Sequence, residues 1–311
     1  MLLADAIAQF LDARIAEGRS YATVKSYRTC LRSFQRFVGG CELAAIDEPM
    51  LRGYLANLRL RKSKHDANPY RPTVKEPLSP ETIRTYYRHI RAFLRWCVEE
   101  GLLTHDPTRR VKMPPPVQHK PKDLLEADYW KMVKTAGSSG KLPLRDKALI
   151  LFLGDTGVRV GGVISLTIDR VDLDARLVEV IEKGDKSRVI PISGVTAEAL
   201  REWLAVRPDR PGNPYVFLSY QGGQLTKYGL YQAVKRIAER AGVVGRSNPH
   251  AFRHFFGHKW METGGGISQL SDMLGHSQIH VTKQFYLRFD IEAIRREHSA
   301  HSPLAGWAEK E

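Results

Sequence analysis

Residues 249–286 read PHAFRHFFGHKWMETGGGISQLSDMLGHSQIHVTKQFY. The spacing predicts a helix over about 249–263, closed by Gly264 as a C-cap. Within it His250 and Arg253 form an H-x-x-R pair, one turn apart on one helix face. His276 follows Leu274-Gly275, and Tyr286 comes ten residues later. His250, His254 and His258 also share a face at steps of four, the spacing of a metal-binding pair. No cysteine or carboxylate cluster joins them and aromatic residues surround them, so no metal site is expected. Taken singly these residues say little, since an isolated arginine is usually a surface group and a tyrosine after a short helix is usually core.

Upstream, residues 144–154 are apolar enough for a buried helix, and Arg159 follows directly in Thr156-Gly157-Val158-Arg159. Residues 177–181 and 187–192 read as two strands around a turn, Lys183-Gly184-Asp185-Lys186. Further helices are predicted near 196–205 and 226–241, the latter carrying Lys235 and Arg236 and ending before Gly242; short helices continue to about 299. Residues 113–122 (MPPPVQHKPK) hold three consecutive prolines and read as a semi-rigid linker.

Residues 1–112 look all-helical. Leu3, Ile7, Phe10 and Leu11 make one helical face. Ser20 caps a second helix with Tyr21, Val24, Tyr27, Leu31, Phe34 and Val38 inward. Asp47-Glu48-Pro49 opens a third, through Leu51, Tyr54, Leu55 and Leu58. Residues 61–78 lack periodicity and read as a basic loop. Ser79-Pro80-Glu81 then starts a helix whose apolar stripe runs Ile83, Tyr86, Tyr87, Ile90, Phe93, Leu94, Cys97 and Val98, with Gly101 ending it. Two basic stripes follow helical steps: Lys25, Arg28, Arg32 and Arg36 on the second helix, and Arg84, Arg88, Arg91 and Arg95 on the fourth. A charged stripe is ordinarily a solvated surface, but these are almost purely cationic, which favours phosphate contact. The expected fold is therefore mainly α with a small β-sheet, with domains at 1–112 and 123–311.

Composition narrows the field. The 311 residues are 42% hydrophobic and 26% charged, an ordinary globular balance. No apolar run approaches the ~18 residues of a membrane span. The N-terminus lacks a basic n-region, so no signal peptide is read there. Cys30, Cys41 and Cys97 are too few for a disulfide scaffold, which points to the cytosol. The formal net charge is +14, with 20 basic against 12 acidic residues in 1–112 and 28 against 22 in the remainder. Both parts are basic, so a polyanion is the natural partner. No GxxxxGK[ST], GxGxxG, CxxC or HExxH occurs, so neither ATP nor another cofactor is signalled.

The ordered set Arg159, Lys183, His250-x-x-Arg253, Leu274-Gly275-His276 and Tyr286 resembles the tyrosine recombinase (phage integrase) family. Residues 154–173 are similar to that family's first-arginine block, 182–191 to its lysine hairpin, and 1–112 to its core-binding domain. The resemblance implies a two-domain clamp around double-stranded DNA that acts as a site-specific recombinase. Tyr286 would form a 3′-phosphotyrosyl link, Arg159 and Arg253 would hold the scissile phosphate, and Lys183 would protonate the departing 5′-oxygen. His250 would act in proton transfer and His276 would donate to a phosphate oxygen. Lys186, Lys235 and Arg236, with the cations of the helical stripes, would touch the DNA backbone. A homotetramer on DNA is implied, with Leu304 and Trp307 in a tail over about 290–311 docking on a neighbouring protomer or folding back on their own domain. Accessory proteins are candidate partners, and the implied location is cytoplasmic and nucleoid-associated, without a membrane. A type IB topoisomerase-like enzyme and a non-catalytic DNA-binding protein are the alternatives. The chemistry agrees: arginine forks match an anionic phosphate, a tyrosine of pKa near 10 needs a cationic site, and a phosphotyrosyl bond retains the energy of the phosphodiester. The family's acid three residues after the first arginine is replaced by Gly162. A substitute support, Asp272 or a backbone carbonyl, is expected there, and Gly162→Glu is expected to fold normally.

Overall fold

Ser20, Asp47 and Ser79 each begin a helix in the same way. The side-chain oxygen accepts from the backbone N–H three residues on, at Thr23 (3.4 Å), Met50 (2.8 Å) and Thr82 (3.2 Å). Each bond satisfies one of the N–H groups that a helix start leaves orphaned. The computed structural model describes residues 1–63, 73–115, 124–181, 187–209, 211–245 and 247–275. The chain divides into two compact units, Met1–Lys120 and Pro121–Glu311.

The first unit holds α1 (Leu3–Ala16), α2 (Tyr21–Val38), α3 (Glu48–Leu60) and α4 (Pro80–Glu99), with a 3₁₀ turn at Leu43–Ala45. Phe10 sits at its centre, fully buried, with its ring meeting Tyr27, Phe93 and Trp96 edge-on at 5.1, 5.5 and 5.4 Å. The expected apolar faces point into this core, with one exception. Tyr21 is 76% exposed, because it occupies the first position of α2, beyond the neighbouring helices, where the Lys25 ammonium lies 6.0 Å from its ring. Buried phenols keep partners: Tyr54 donates to Ser33 Oγ and Tyr87 to Val111 O, which offsets the cost of burying a hydroxyl. Helices α2 and α4 are tied through Ser26 Oγ and His89 Nε2 at 3.0 Å, with His89 Nδ1 on Thr85 O at 2.7 Å. Burial pushes the Cys30 and Cys97 thiols up to about 12, so both are neutral packing groups.

The second unit holds α5 (Glu126–Ser138), α6 (Pro143–Thr156), α7 (Val160–Ser165), β1 (Val171–Asp172), β2 (Leu177–Ile181), β3 (Ser187–Pro191), α8 (Gly194–Val206), α9 (Lys227–Arg240), α10 (Pro249–Glu262) and α11 (Ile267–Leu274). Helix α6 is apolar on every side over Ala148–Leu153 and is buried accordingly, with α5, α8 and α10 packed around it. The three strands form one antiparallel sheet in chain order. Val178 pairs with Ile190 and Val180 with Arg188, which sends Val178, Val180 and Ile190 into the core by strict alternation. Helices α5 and α7 and strand β1 had no clear sequence signal. Among the described residues no helix is long and apolar enough to cross a membrane. Residues 64–72 of the basic loop at 61–78, the turn between β2 and β3 and the tail over 290–311 lie outside the described residues.

Candidate active site

Two left-handed glycines build the site. Gly157 ends α6 at φ +58°, and a Cβ there would lie 2.8 Å from Phe256 Cδ1 and 2.9 Å from Leu274 Cδ2. Only glycine fits both the dihedral and the space. Gly275 ends α11 at φ +64°. Both turns leave carbonyls that no further helical N–H can reach, and arginines take them.

Arg253 projects from α10 and is only 7% exposed. It donates from Nη1 to Gly157 O at 2.8 Å and from Nη2 to Leu274 O at 2.7 Å. Arg159, the half-buried N-cap residue of α7, donates from Nη1 to Gly275 O at 3.0 Å. The two arginines are thus joined through adjacent carbonyls, Leu274 and Gly275, at the negative end of the α11 dipole. A carbonyl dipole orients a guanidinium without cancelling its charge, so these three bonds prepare two oriented cations. Backbone carbonyls, one of the two supports the sequence reading named, are the groups that hold these arginines. Asp272 is exposed on the outer side of α11.

His250 stands beside them in the first turn of α10, placed by Asn248, whose Oδ1 accepts from the N–H of His250 (3.0 Å) and Ala251 (3.2 Å). Its surface is open, yet the protein mass behind the ring, followed by the charges of Arg253 and Arg159, lowers its pKa from the ordinary 6.5. The imidazole is therefore neutral at pH 7 and able to accept a proton.

Gly162 corrects one expectation. It is buried, and a Cβ on it would lie 2.7 Å from Val158 Cγ1 and 3.7 Å from Ile181 O. Against β2 a Cβ would make only ordinary contact; the clash is with the Val158 methyl. Valine is stiff at χ1, so Gly162→Glu cannot fold without displacing Val158. Gly161 has open space around its Cβ direction and carries no such constraint.

Sequence reasoning missed Arg188, which donates from Nε to Met273 O at 3.1 Å. A lone arginine in a strand gives no signal for that role. Among the other expected residues, Lys235 and Arg236 lie exposed on α9, with Lys235 paired to Glu239 at 3.6 Å. Lys183, Lys186, His276 and Tyr286 lie outside the described residues. Among the described residues no group of three or more His, Cys, Asp or Glu side chains converges.

The two basic stripes of the first unit differ. On α4, Glu81 pairs with both Arg84 and Arg88, Asp106 pairs with Arg95, and Arg84 also donates to Pro114 O. Among the described residues Arg91 alone of the four has no acidic partner. The few acids near this stripe count for more than the sequence reading expected, because Glu81 in the first turn of α4 meets two arginines and Asp106 arrives from beyond the helix. On α2, Lys25, Arg28, Arg32 and Arg36 have no acidic partner among the described residues.

Comparison with known proteins now bears on this geometry. Residues 122–292 match the model of the phage integrase family, and residues 2–113 match the phage integrase SAM-like domain. Tyrosine recombinase XerD of Listeria innocua is 29% identical over 289 residues, 90% of this chain and 92% of that protein. XerD of Mycobacterium tuberculosis is 29% identical over 303 residues, 94% of each. Among solved structures, the Tn1549 transposon integrase in complex with transposon right end DNA covers 96% of this chain and 99% of its own, at TM-score 0.78 and 18% identity. A lambda integrase dimer bound to a core site covers 94% and 100%, at TM-score 0.70 and 16% identity. With one family model spanning more than half the sequence and its companion domain spanning most of the rest, the chain belongs to the phage integrase family.

Proposed function

We propose that this chain is a site-specific DNA recombinase that cuts and rejoins strands through a phosphotyrosyl intermediate on Tyr286. The observation that carries the reading is the α11 helix end, where adjacent carbonyls hold Arg159 and Arg253 beside a neutral His250. A phosphodiester under attack gathers negative charge on its non-bridging oxygens, and two fixed guanidinium forks stabilise that charge. Tyr286 Oη attacks phosphorus and gives up its proton, for which the neutral His250 imidazole is the acceptor. The bond from phosphorus to the 5′-oxygen breaks, and Lys183 protonates that oxygen. His276 donates to a phosphate oxygen. In rejoining, a 5′-hydroxyl from a second strand attacks the phosphotyrosyl bond and Tyr286 leaves, so no ATP is consumed.

The working unit has two DNA-gripping domains, residues 1–112 and 123–311, with 113–122 passing beside the duplex. Lys25, Arg28 and Arg32 supply phosphate contacts, with Lys186, Lys235 and Arg236 doing so from the second domain. Four protomers act together on two sites, with accessory proteins as further partners, on nucleoid DNA in the cytoplasm. The test is Tyr286→Phe on a nicked suicide substrate. Covalent adduct is expected to vanish while site binding stays unchanged, since only the attacking oxygen is removed. An adduct that persists overturns the assignment of the nucleophile.

A further inference from the structure

Arg188 lies on β3, opposite Val180 of β2, and its bond to Met273 O spans 85 residues of sequence. With Arg253 on Leu274 O and Arg159 on Gly275 O, three successive carbonyls at one helix end each accept from an arginine. The three arginines come from three different elements: a strand, the second turn of α10, and the turn before α7. Two of them face the site described above. The third ties the helix end to a different element, the sheet.

Helix α11 is eight residues long; its buried apolar side chains, Leu270 and Leu274, pack with Phe256 in a small cluster, and Met273 packs against both that cluster and the main core. A short helix on a satellite cluster has few apolar contacts to fix its position, so the polar ties at its end carry more of that task. Arg253 ties this end to Gly157 O at the close of α6, while Arg159 meets it from the turn before α7. Arg188 is anchored elsewhere, in a strand whose neighbours Val178, Val180 and Ile190 are fully buried in the main core. Its bond references the helix end to the sheet.

We propose that Arg188 is a positioning residue for DNA cleavage: by pinning the α11 end to the sheet, it fixes the carbonyls that aim Arg159 and Arg253 at the scissile phosphate. The inference rests on the reading that those two arginines meet the phosphate charge. It follows that loss of Arg188 acts on phosphate charge stabilisation and not on DNA affinity, because its bond is made within the protein.

The test uses the full chain in single-turnover cleavage of nicked DNA, with either a native phosphodiester or a methylphosphonate at the scissile position. The methylphosphonate replaces one non-bridging oxygen by a neutral methyl group and so removes the charge the arginines meet. Arg188→Ala is expected to slow cleavage of the phosphodiester by about ten- to a hundredfold, the scale of a misplacement of about 1 Å. On the methylphosphonate the loss should shrink to about threefold or less, as it should for Arg159→Ala. Arg188→Lys retains one donor that can reach the carbonyl and should recover most of the rate; it carries the test if the alanine variant fails to fold. A variant that merely destabilises the chain loses the same factor on both substrates, and that result, with Arg159→Ala still recovering, overturns the role given to Arg188. If Arg159→Ala does not recover either, the arginine–phosphate reading fails and this inference with it. Weaker DNA binding by Arg188→Ala with a shallower salt dependence would make Arg188 a direct phosphate contact and overturn the proposal as well.

Discussion

A guanidinium as deeply buried as that of Arg253 survives only with good hydrogen bonds, since an uncompensated buried charge costs about 3–5 kcal/mol. Gly157 O and Leu274 O supply those bonds. This arrangement has an electrostatic consequence one turn away. The imidazole of His250, crowded on one side and facing two fixed cations, is held below its ordinary pKa of 6.5. The sign is straightforward. Protonation removes the basic lone pair, and a lowered pKa moves that loss to more acidic pH. The cleavage rate should therefore hold steady through the ordinary histidine range and fall only below it, along an acid limb of single-proton slope. His250→Gln, which cannot titrate, should lower the rate and abolish that limb. Single-turnover cleavage measured across pH checks this. An acid limb that survives unchanged in His250→Gln assigns the titration to another group. At this scale the sequence was only half legible. Arg159, His250 and Arg253 stood out by their order and spacing, but backbone carbonyls leave no trace in a sequence, so their support by Gly157, Leu274 and Gly275 could not be read. Gly162 was visible as a departure, while the Val158 methyl that forbids a side chain there is a packing fact.

At the scale of elements, legibility followed caps and period. Helices α2, α3 and α4 were readable because Ser20, Asp47 and Ser79 mark their starts and a long apolar stripe follows each. Helix α5 hid because its core positions, Tyr129, Met132 and Ala136, are interrupted by Trp130, which is 50% exposed. Helix α7 is six residues with two adjacent glycines, and β1 is two residues long; neither is long enough to establish a period. The basic stripes show a different limit. Helical spacing placed Arg84, Arg88 and Arg95 correctly on one side of α4, and Glu81 three and seven residues before the first two, but could not show that Asp106 reaches Arg95 from beyond the helix. Exposed pairs of this kind contribute about 0–1 kcal/mol, yet an arginine must give up its acid to meet a phosphate. The α2 stripe pays no such cost. Changing Lys25, Arg28 and Arg32 together to Gln should flatten the log–log salt dependence of DNA binding by about 2–3 units, near 0.9 per phosphate contact. The same change at Arg84, Arg88 and Arg95 should flatten it by less than about one unit. Fluorescence anisotropy titrations over a salt series measure both slopes. Equal flattening would mean that DNA displaces the acids of α4 freely, and that α4 grips the backbone as firmly as α2.

At the scale of the whole molecule, the argument turns on counting nucleophiles. Exchanging two duplexes breaks four strands, and each chain offers one Tyr286. On the proposed mechanism four chains would gather on two sites, although both parts of each chain are basic and repel their counterparts. DNA offsets that repulsion by neutralising it, but it does not by itself bring protomers into contact. In such an assembly an apolar contact would hold neighbours together, and Leu304 and Trp307, near the C-terminal end, are the sequence's candidates. If they dock on a neighbouring protomer, Leu304→Ala with Trp307→Ala should leave the melting temperature of the free chain unchanged. The same change should remove the cooperativity with which a second copy fills a paired site. Sedimentation with Tyr286→Phe in the background, which blocks chemistry, should show four chains per two duplexes before the change and dispersed single-duplex complexes after it. If the tail instead folds back on its own domain, exposing its apolar contacts lowers the melting temperature. About 25 cal/mol is lost for each Å² of apolar surface returned to water, while cooperativity persists. The two outcomes are opposite in both measurements, so one preparation of the double variant decides between a tail that joins protomers and a tail that closes its own domain.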